Sequence, residues 1–119
     1  MDSGLYIAVF YLPRVQKVYV GKLGQFRFKK GVYFYAGSAQ RNLSSRLKRH
    51  QTKKKPLRWH IDYLSARARM LGAITIPGSR KYECELAKEL SKVFELCIPG
   101  FGASDCRCSG HLFFSPKLV

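Results

Sequence analysis

A mixed α/β fold (α+β), a small and mainly antiparallel sheet packed against about three helices, is what this sequence predicts. Two runs rich in β-branched and aromatic residues, at 4–12 and 31–38, read as strands. From residue 43 onward apolar side chains recur at helical spacing. The order is therefore strands, two helices, strand, helix. A chain of 119 residues with 46% hydrophobic content suits a single domain over 1–119 with a packed core.

GLYIAVFYL (4–12) is the first strand, ended by Pro13 and Arg14, and the alternating VQKVYVG (15–21) is expected to return beside it as a hairpin partner. LGQFRFKKG connects, with room for an edge strand. GVYFYAGS (31–38) is the next strand, stopped by Gly37 and Ser38. Asn42 is positioned to cap a helix that puts Leu43, Leu47 and His50 on one face. QTKKKP is a polar break, and Pro56 suits the first turn of a second helix with the stripe Leu57, His60, Ile61, Leu64 and Ala68. MLGAITIPGS (70–79) is expected to hold a short buried strand and a turn. Ser79 then caps a third helix through about Leu96, striped by Leu86, Ala87, Leu90, Val93 and Phe94. The tail begins as a Gly-rich loop and has the makings of a final strand.

Charge narrows the function. The 22 Lys and Arg outnumber the 7 Asp and Glu, giving a net +15, and no acidic residue lies between Asp2 and Asp62. Such a one-sided field draws polyanions, of which nucleic acid is the commonest; the alternative is a solvated basic surface. Arg41, Lys48, Arg49, Lys53, Lys54, Lys55 and Arg58 are the candidate nucleic-acid contacts. No apolar run is long enough to span a membrane, and no basic start precedes the first apolar stretch, so an intracellular, cytoplasmic protein without a membrane partner is expected. Of the cysteines at 84, 97, 106 and 108, the CRCSGH run has neither the spacing nor the ligand count of a structural zinc site; buried thiols or one disulfide are expected.

Four side chains could carry chemistry. Extended one turn back, the stripe of the third helix lands on Glu83, not on Glu85 or Glu89, which share the solvent side with Lys88 and Lys92. Glu83 is either an acid favoured near the helix dipole or a carboxylate ligand for a hard divalent cation. Arg46 lies four residues before His50, beside the inward stripe, where a guanidinium can clamp a phosphate. Tyr6 and Tyr35 stand on adjacent strands if these pair, either as packing or as hydroxyls that position water. With an ordinary tyrosine value near 10, only about one phenol in a thousand is ionised at neutral pH, so a tyrosine base needs help. His60 reads as a buried, hydrogen-bonded histidine or a substrate contact, and Trp59 and Tyr63 as core or rim.

Together these residues resemble the GIY-YIG endonuclease superfamily. Gly4-Leu5-Tyr6 looks like its GIY element, Tyr35-Ala36-Gly37 like its YIG element, and GSAQRNLSSRLKRH is similar to its glycine-serine turn and arginine-bearing helix. WHIDYL, ECELA and FGASDC…HL further resemble a small, poorly characterised branch sometimes fused to an endonuclease III-like domain. The resemblance implies a metal-dependent endonuclease acting on phosphodiesters, in DNA in preference to RNA, with a role in repair or recombination and a repair protein as a partner. It implies Tyr6 as the base or water-positioning group, Tyr35 as its assistant, and Arg46 with His50 at the phosphate. Glu83 would hold one Mg²⁺ or Mn²⁺. A binding module on the same scaffold is the alternative. The chain departs from the family in two places. The long interval between Tyr6 and Tyr35 implies an inserted hairpin or strand over VQKVYVGKLGQFRFKK. Where the family often has a late asparagine, this chain offers Ser104, Asp105 and His111; Asp105 can substitute, or the final element is missing. His60, Asp105 and His111 are the accessory candidates.

Overall fold

In the computed structural model, which describes residues 2–102 and 109–117, the strands β1 (Gly4–Leu12), β4 (Gly31–Ala39), β5 (Arg69–Ile76), β6 (Glu95–Leu96) and β7 (Leu112–Ser115) form one antiparallel sheet in the order β5-β1-β4-β7-β6. Strands β2 (Gln16–Tyr19) and β3 (Gln25–Phe28) form a separate ribbon, and α1 (Leu43–Gln51), α2 (His60–Ser65) and α3 (Glu83–Ser91) complete the α+β architecture. Every residue of β4 is buried, as expected of a central strand covered on both faces.

The period of two along the strands sorts the core into layers. Tyr6, Ala8, Phe10 and Leu12 of β1 join Tyr33 and Tyr35 of β4 on one face, under Leu43, Ile61, Leu64 and the ribbon's Val18 and Phe28. Val32, Phe34 and Ala36 point to the other face, where Leu86, Ala87, Leu90 and Phe94 cover them. There Phe34 stacks on Phe94 with centroids 4.1 Å apart. Removing one such buried aromatic would cost about 3 kcal/mol or more.

Several expectations are corrected. Residues 15–21 do not return beside the first strand: β1 is flanked by β4 and β5, and β2 pairs with β3 as an insertion. A nine-residue, wholly buried β4 covers more apolar surface against β1 than the half-polar Gln16–Tyr19 could. Asn42 has φ 57° and its side chain caps nothing. The cap comes from Asp2, whose carboxylate accepts from the Ser44 amide at 3.0 Å and whose carbonyl accepts from the Leu43 amide at 3.0 Å. The second helix starts at His60, not near Pro56, because the Asp62 carboxylate gathers the amides of Arg58 and Trp59, each at 2.9 Å. Leu57 consequently lies outside the helix and is exposed. β5 is not buried: it is an edge strand, and most of its residues are exposed. The third helix is shorter than 79–96. It is preceded by a 3₁₀ turn (Arg80–Tyr82) and ends at Ser91; Ser79 supplies a carbonyl to the Tyr82 amide rather than a side-chain cap, and Val93 is exposed.

Candidate functional site

At the Gly4/Ala39 end of the β1–β4 pair, side chains from both faces of the sheet line one open cleft of about 580 Å³. Tyr6, Tyr35, Arg46 and Glu83 all border it, brought there by β1, β4, α1 and the first residue of α3. Arg41, Arg58, Trp59, His60 and Arg80 line it as well.

Gly37 makes the tyrosine arrangement possible. A β-carbon there would sit 2.4 Å from Tyr6 Cζ, so only glycine lets the Tyr6 ring lie flat over β4. Tyr6 and Tyr35 then approach with ring centroids 6.4 Å apart. The Tyr6 hydroxyl meets His50 Nε2 at 2.7 Å, and His50 is buried against Tyr6, Tyr35 and Phe10. Burial pushes the Tyr6 phenol well above its ordinary value, and the Arg46 guanidinium offsets this only in part. Tyr35 is raised for the same reason, reinforced by Tyr6 and Glu83. Burial lowers His50 from 6.5 to about 4, with the Lys55 ammonium adding to the effect, so the imidazole is neutral at pH 7.

Arg46 is held from two sides. Its Nη1 donates to the Ser38 carbonyl at 2.5 Å, and its guanidinium lies 4.8 Å from the Trp59 ring centroid. Its remaining donors are available to the cleft. Glu83 is anchored by both oxygens: the Ser38 hydroxyl donates to Oε2 at 2.6 Å, and His111 Nδ1 lies 3.1 Å from Oε1 and from the Ala36 carbonyl. Burial alone would raise the Glu83 carboxyl. The His111 and Ser38 hydrogen bonds, with the charges of His111 and Arg80, outweigh it and hold the group below the usual carboxylate range. Glu83 is thus an ionised carboxylate, 19% exposed at the cleft, with a further lone pair on each oxygen. That fits a hard divalent cation that draws its other ligands from water and phosphate. Among the described residues, no group of three or more His, Cys, Asp or Glu side chains converges as a metal cage.

The remaining sequence candidates divide. Arg41 and Arg58 are exposed on the cleft wall, while Lys48, Lys53 and Lys54 are exposed beyond it. Arg49 is spoken for: it pairs with Asp62 at 2.7 Å and lies 4.9 Å from the Trp59 ring centroid. Lys55 is not a surface contact. Its side chain is 3% exposed, and its ammonium donates to the Arg49 carbonyl and the Ser65 hydroxyl near Asp62. His60 accepts from the Gly102 amide through Nδ1 at 2.8 Å, which fixes its neutral tautomer with the proton on Nε2. Ser104, Asp105, Cys106 and Cys108 lie outside the described residues; Cys84 and Cys97 are free thiols, and burial pushes Cys97 up to about 12. The anchors Ser38 and Arg80 were not anticipated. Ser38 alternates away from Gly37 on β4, which puts its hydroxyl on the α3 side, and that parity is readable from the sequence.

No curated protein and no solved structure matches the chain. A family model does, over residues 5–118, and the chain belongs to that family, DUF123, a domain of unknown function.

Proposed function

We propose that this protein is a metal-dependent endonuclease of GIY-YIG type that hydrolyses phosphodiester bonds in DNA. The observation that carries the reading is the convergence of Tyr6, Tyr35, Arg46 and Glu83, from four elements, on one cleft in a chain of net charge +15. An arrangement with Glu83 remote from the tyrosines would have left no common place for a phosphate.

Arg46 clamps the scissile phosphate with the guanidinium donors that Ser38 and Trp59 leave open. Glu83 would hold one Mg²⁺ or Mn²⁺, which when bound polarises the phosphate and neutralises the leaving oxygen. The attacking water must lose a proton, and Tyr6 is too strongly protonated to stand ready as a phenolate. Tyr6 therefore relays: its Oη takes the proton from water while its own proton passes to the neutral Nε2 of His50, 2.7 Å away. Tyr35, beside both rings, orders the water and walls the site.

The test is cleavage of duplex, nicked, flapped and branched DNA with Mg²⁺ or Mn²⁺, alongside Glu83→Gln and Arg46→Ala. Cleavage that vanishes with EDTA and with either substitution supports the assignment. Cleavage that survives both sinks it. No cleavage from a protein that still binds DNA makes the chain a binding module on the same scaffold.

A further inference from the structure

The ribbon β2–β3 plays no part in the cleft, and its two faces differ sharply. Val18 and Phe28 are buried in the core. Lys17, Tyr19, Gln25 and Arg27 alternate with them and face outward, Tyr19 at 67% exposure. The register puts Lys17 directly opposite Arg27. Like charges facing each other across a strand pair are destabilising. Here no acid relieves them: residues 13–30 contain none, and among the described residues neither cation has an ion pair. Arg14, Lys22 and Lys30 are exposed on the same insertion. A fold that sets two cations face to face on an open ribbon is built to receive an anion between them.

The position of the ribbon identifies the anion. The 3₁₀ turn Gly21–Leu23 that joins its strands packs on α2, whose first residue, His60, borders the cleft. Leu23 also lies against Gly100, two residues from Gly102 on the cleft wall. The molecule measures 37 Å at its longest, so the ribbon and the cleft lie within about one turn of duplex DNA of each other.

We propose that the outer face of the β2–β3 ribbon is a second nucleic-acid-binding surface, on which Lys17 and Arg27 grip the phosphate backbone of duplex DNA outside the cleft. This rests on the reading that the cleft takes nucleic acid. The contacts are to phosphate and carry no sequence information; Tyr19 adds a hydroxyl donor to the same backbone.

The experiment is fluorescence anisotropy of the full chain with a duplex of about 24 base pairs, roughly two helical turns, titrated with salt in EDTA so that nothing is cut. The double variant Lys17→Gln/Arg27→Gln is compared with Lys88→Gln/Lys92→Gln, which removes the same charge from the exposed side of α3. Loss of two phosphate contacts lowers the slope of log K against log salt by about 1.8 in the ribbon variant, and the α3 variant keeps the parental slope. The ribbon variant's melting midpoint should hold or rise slightly, since a repulsion has gone. Equal slopes in the two variants overturn the proposal, as does a ribbon variant that loses binding to anionic lipid vesicles while holding DNA at the parental slope. The nuclease reading fails separately: a protein that cuts nothing yet loses slope only in the ribbon variant keeps this surface and loses its catalysis.

Discussion

Asp62 and Glu83 are both acids of a strongly basic chain, both sit in the first turn of a helix, and both are held below the usual carboxylate range, yet their surroundings differ in kind. Asp62 is fully buried. Its Oδ2 accepts from two backbone amides and from Arg49, with the Lys55 ammonium 3.9 Å from Oδ1. Fixed groups of the fold occupy Oδ2, while Oδ1 is sealed from solvent with no hydrogen-bond partner among the described residues; what the carboxylate organises is the 55–62 segment that brings Arg58, Trp59 and His60 to the cleft. Glu83 is anchored by a hydroxyl and an imidazole instead of by backbone amides, and it opens on solvent. A depressed carboxylate is therefore common to both acids, and what sets Glu83 apart is spare coordination facing a cleft.

Substitutions separate the two roles. Glu83→Gln should lower DNA cleavage by about 10³-fold, equivalent to about 4 kcal/mol of barrier, and leave the melting midpoint within a few degrees of the parent. Retained cleavage would put the carboxylate outside the chemistry. Asp62→Asn should do the reverse, costing about 3 kcal/mol of stability in chemical denaturation by leaving the Arg49–Lys55 charge inside without its counter-ion. An Asp62→Asn protein of parental stability would make the buried network ornamental.

The same contrast shows what the sequence could and could not disclose. Glu83 was legible because helical periodicity counts backward through Leu86, Ala87 and Leu90 to a single acid, and α3 keeps that phase although it is shorter than expected. The strands β1 and β4 were legible from their runs of β-branched and aromatic residues. Asp62 was not, since its role depends on amides three and four residues earlier folding back onto it. Lys55 looked like its neighbours Lys53 and Lys54, and only Asp62's burial distinguishes it. The inserted hairpin over 15–30 that the family resemblance implies is the β2–β3 ribbon, whereas the local signal that set 15–21 beside the first strand fails because the pairing of β1 is settled by a competing strand far along the chain. The Asp2 cap on α1 reaches across more than 40 residues, a distance no local pattern reports.

A smaller perturbation tests the backbone beneath the tyrosines. Gly37→Ala would place its β-carbon 2.4 Å from the Tyr6 ring, which is 2% exposed and has nowhere to retreat. Stability should fall by about 2 kcal/mol, and cleavage should fall with it as the Tyr6–His50 contact opens. The neighbouring Gly4→Ala, at φ 145° with the Ile76 carbonyl 2.9 Å from its β-carbon, should destabilise β1 against β5 without moving the Tyr6 hydroxyl. Equal cleavage losses in the two variants would mean that the sheet end, and not the tyrosine, sets activity.

The gentlest test uses pH, and it divides histidine from the two acids. His50 binds a proton at about 4 in the fold and at 6.5 when exposed. Between these values the unfolded chain is protonated and the folded one is not, so stability falls as pH falls through this window, by at most about 1.4 kcal/mol per unit for one such group. His60, also lowered by burial, adds to the slope in the same direction. The acids behave oppositely in position: what Glu83 and Asp62 contribute is complete above the ordinary carboxylate range and is lost only as pH drops through their depressed values. The upper part of the descent, above the carboxylate range, therefore reports histidine alone. His50→Gln keeps a partner for the Tyr6 hydroxyl but cannot titrate, so its melting midpoint should decline less steeply there than the parent's. A His50→Gln midpoint that declines as steeply as the parent's from pH 6.5 down to the carboxylate range would mean that His50 takes up its proton in the folded protein, and a protonated His50 could not receive one from Tyr6.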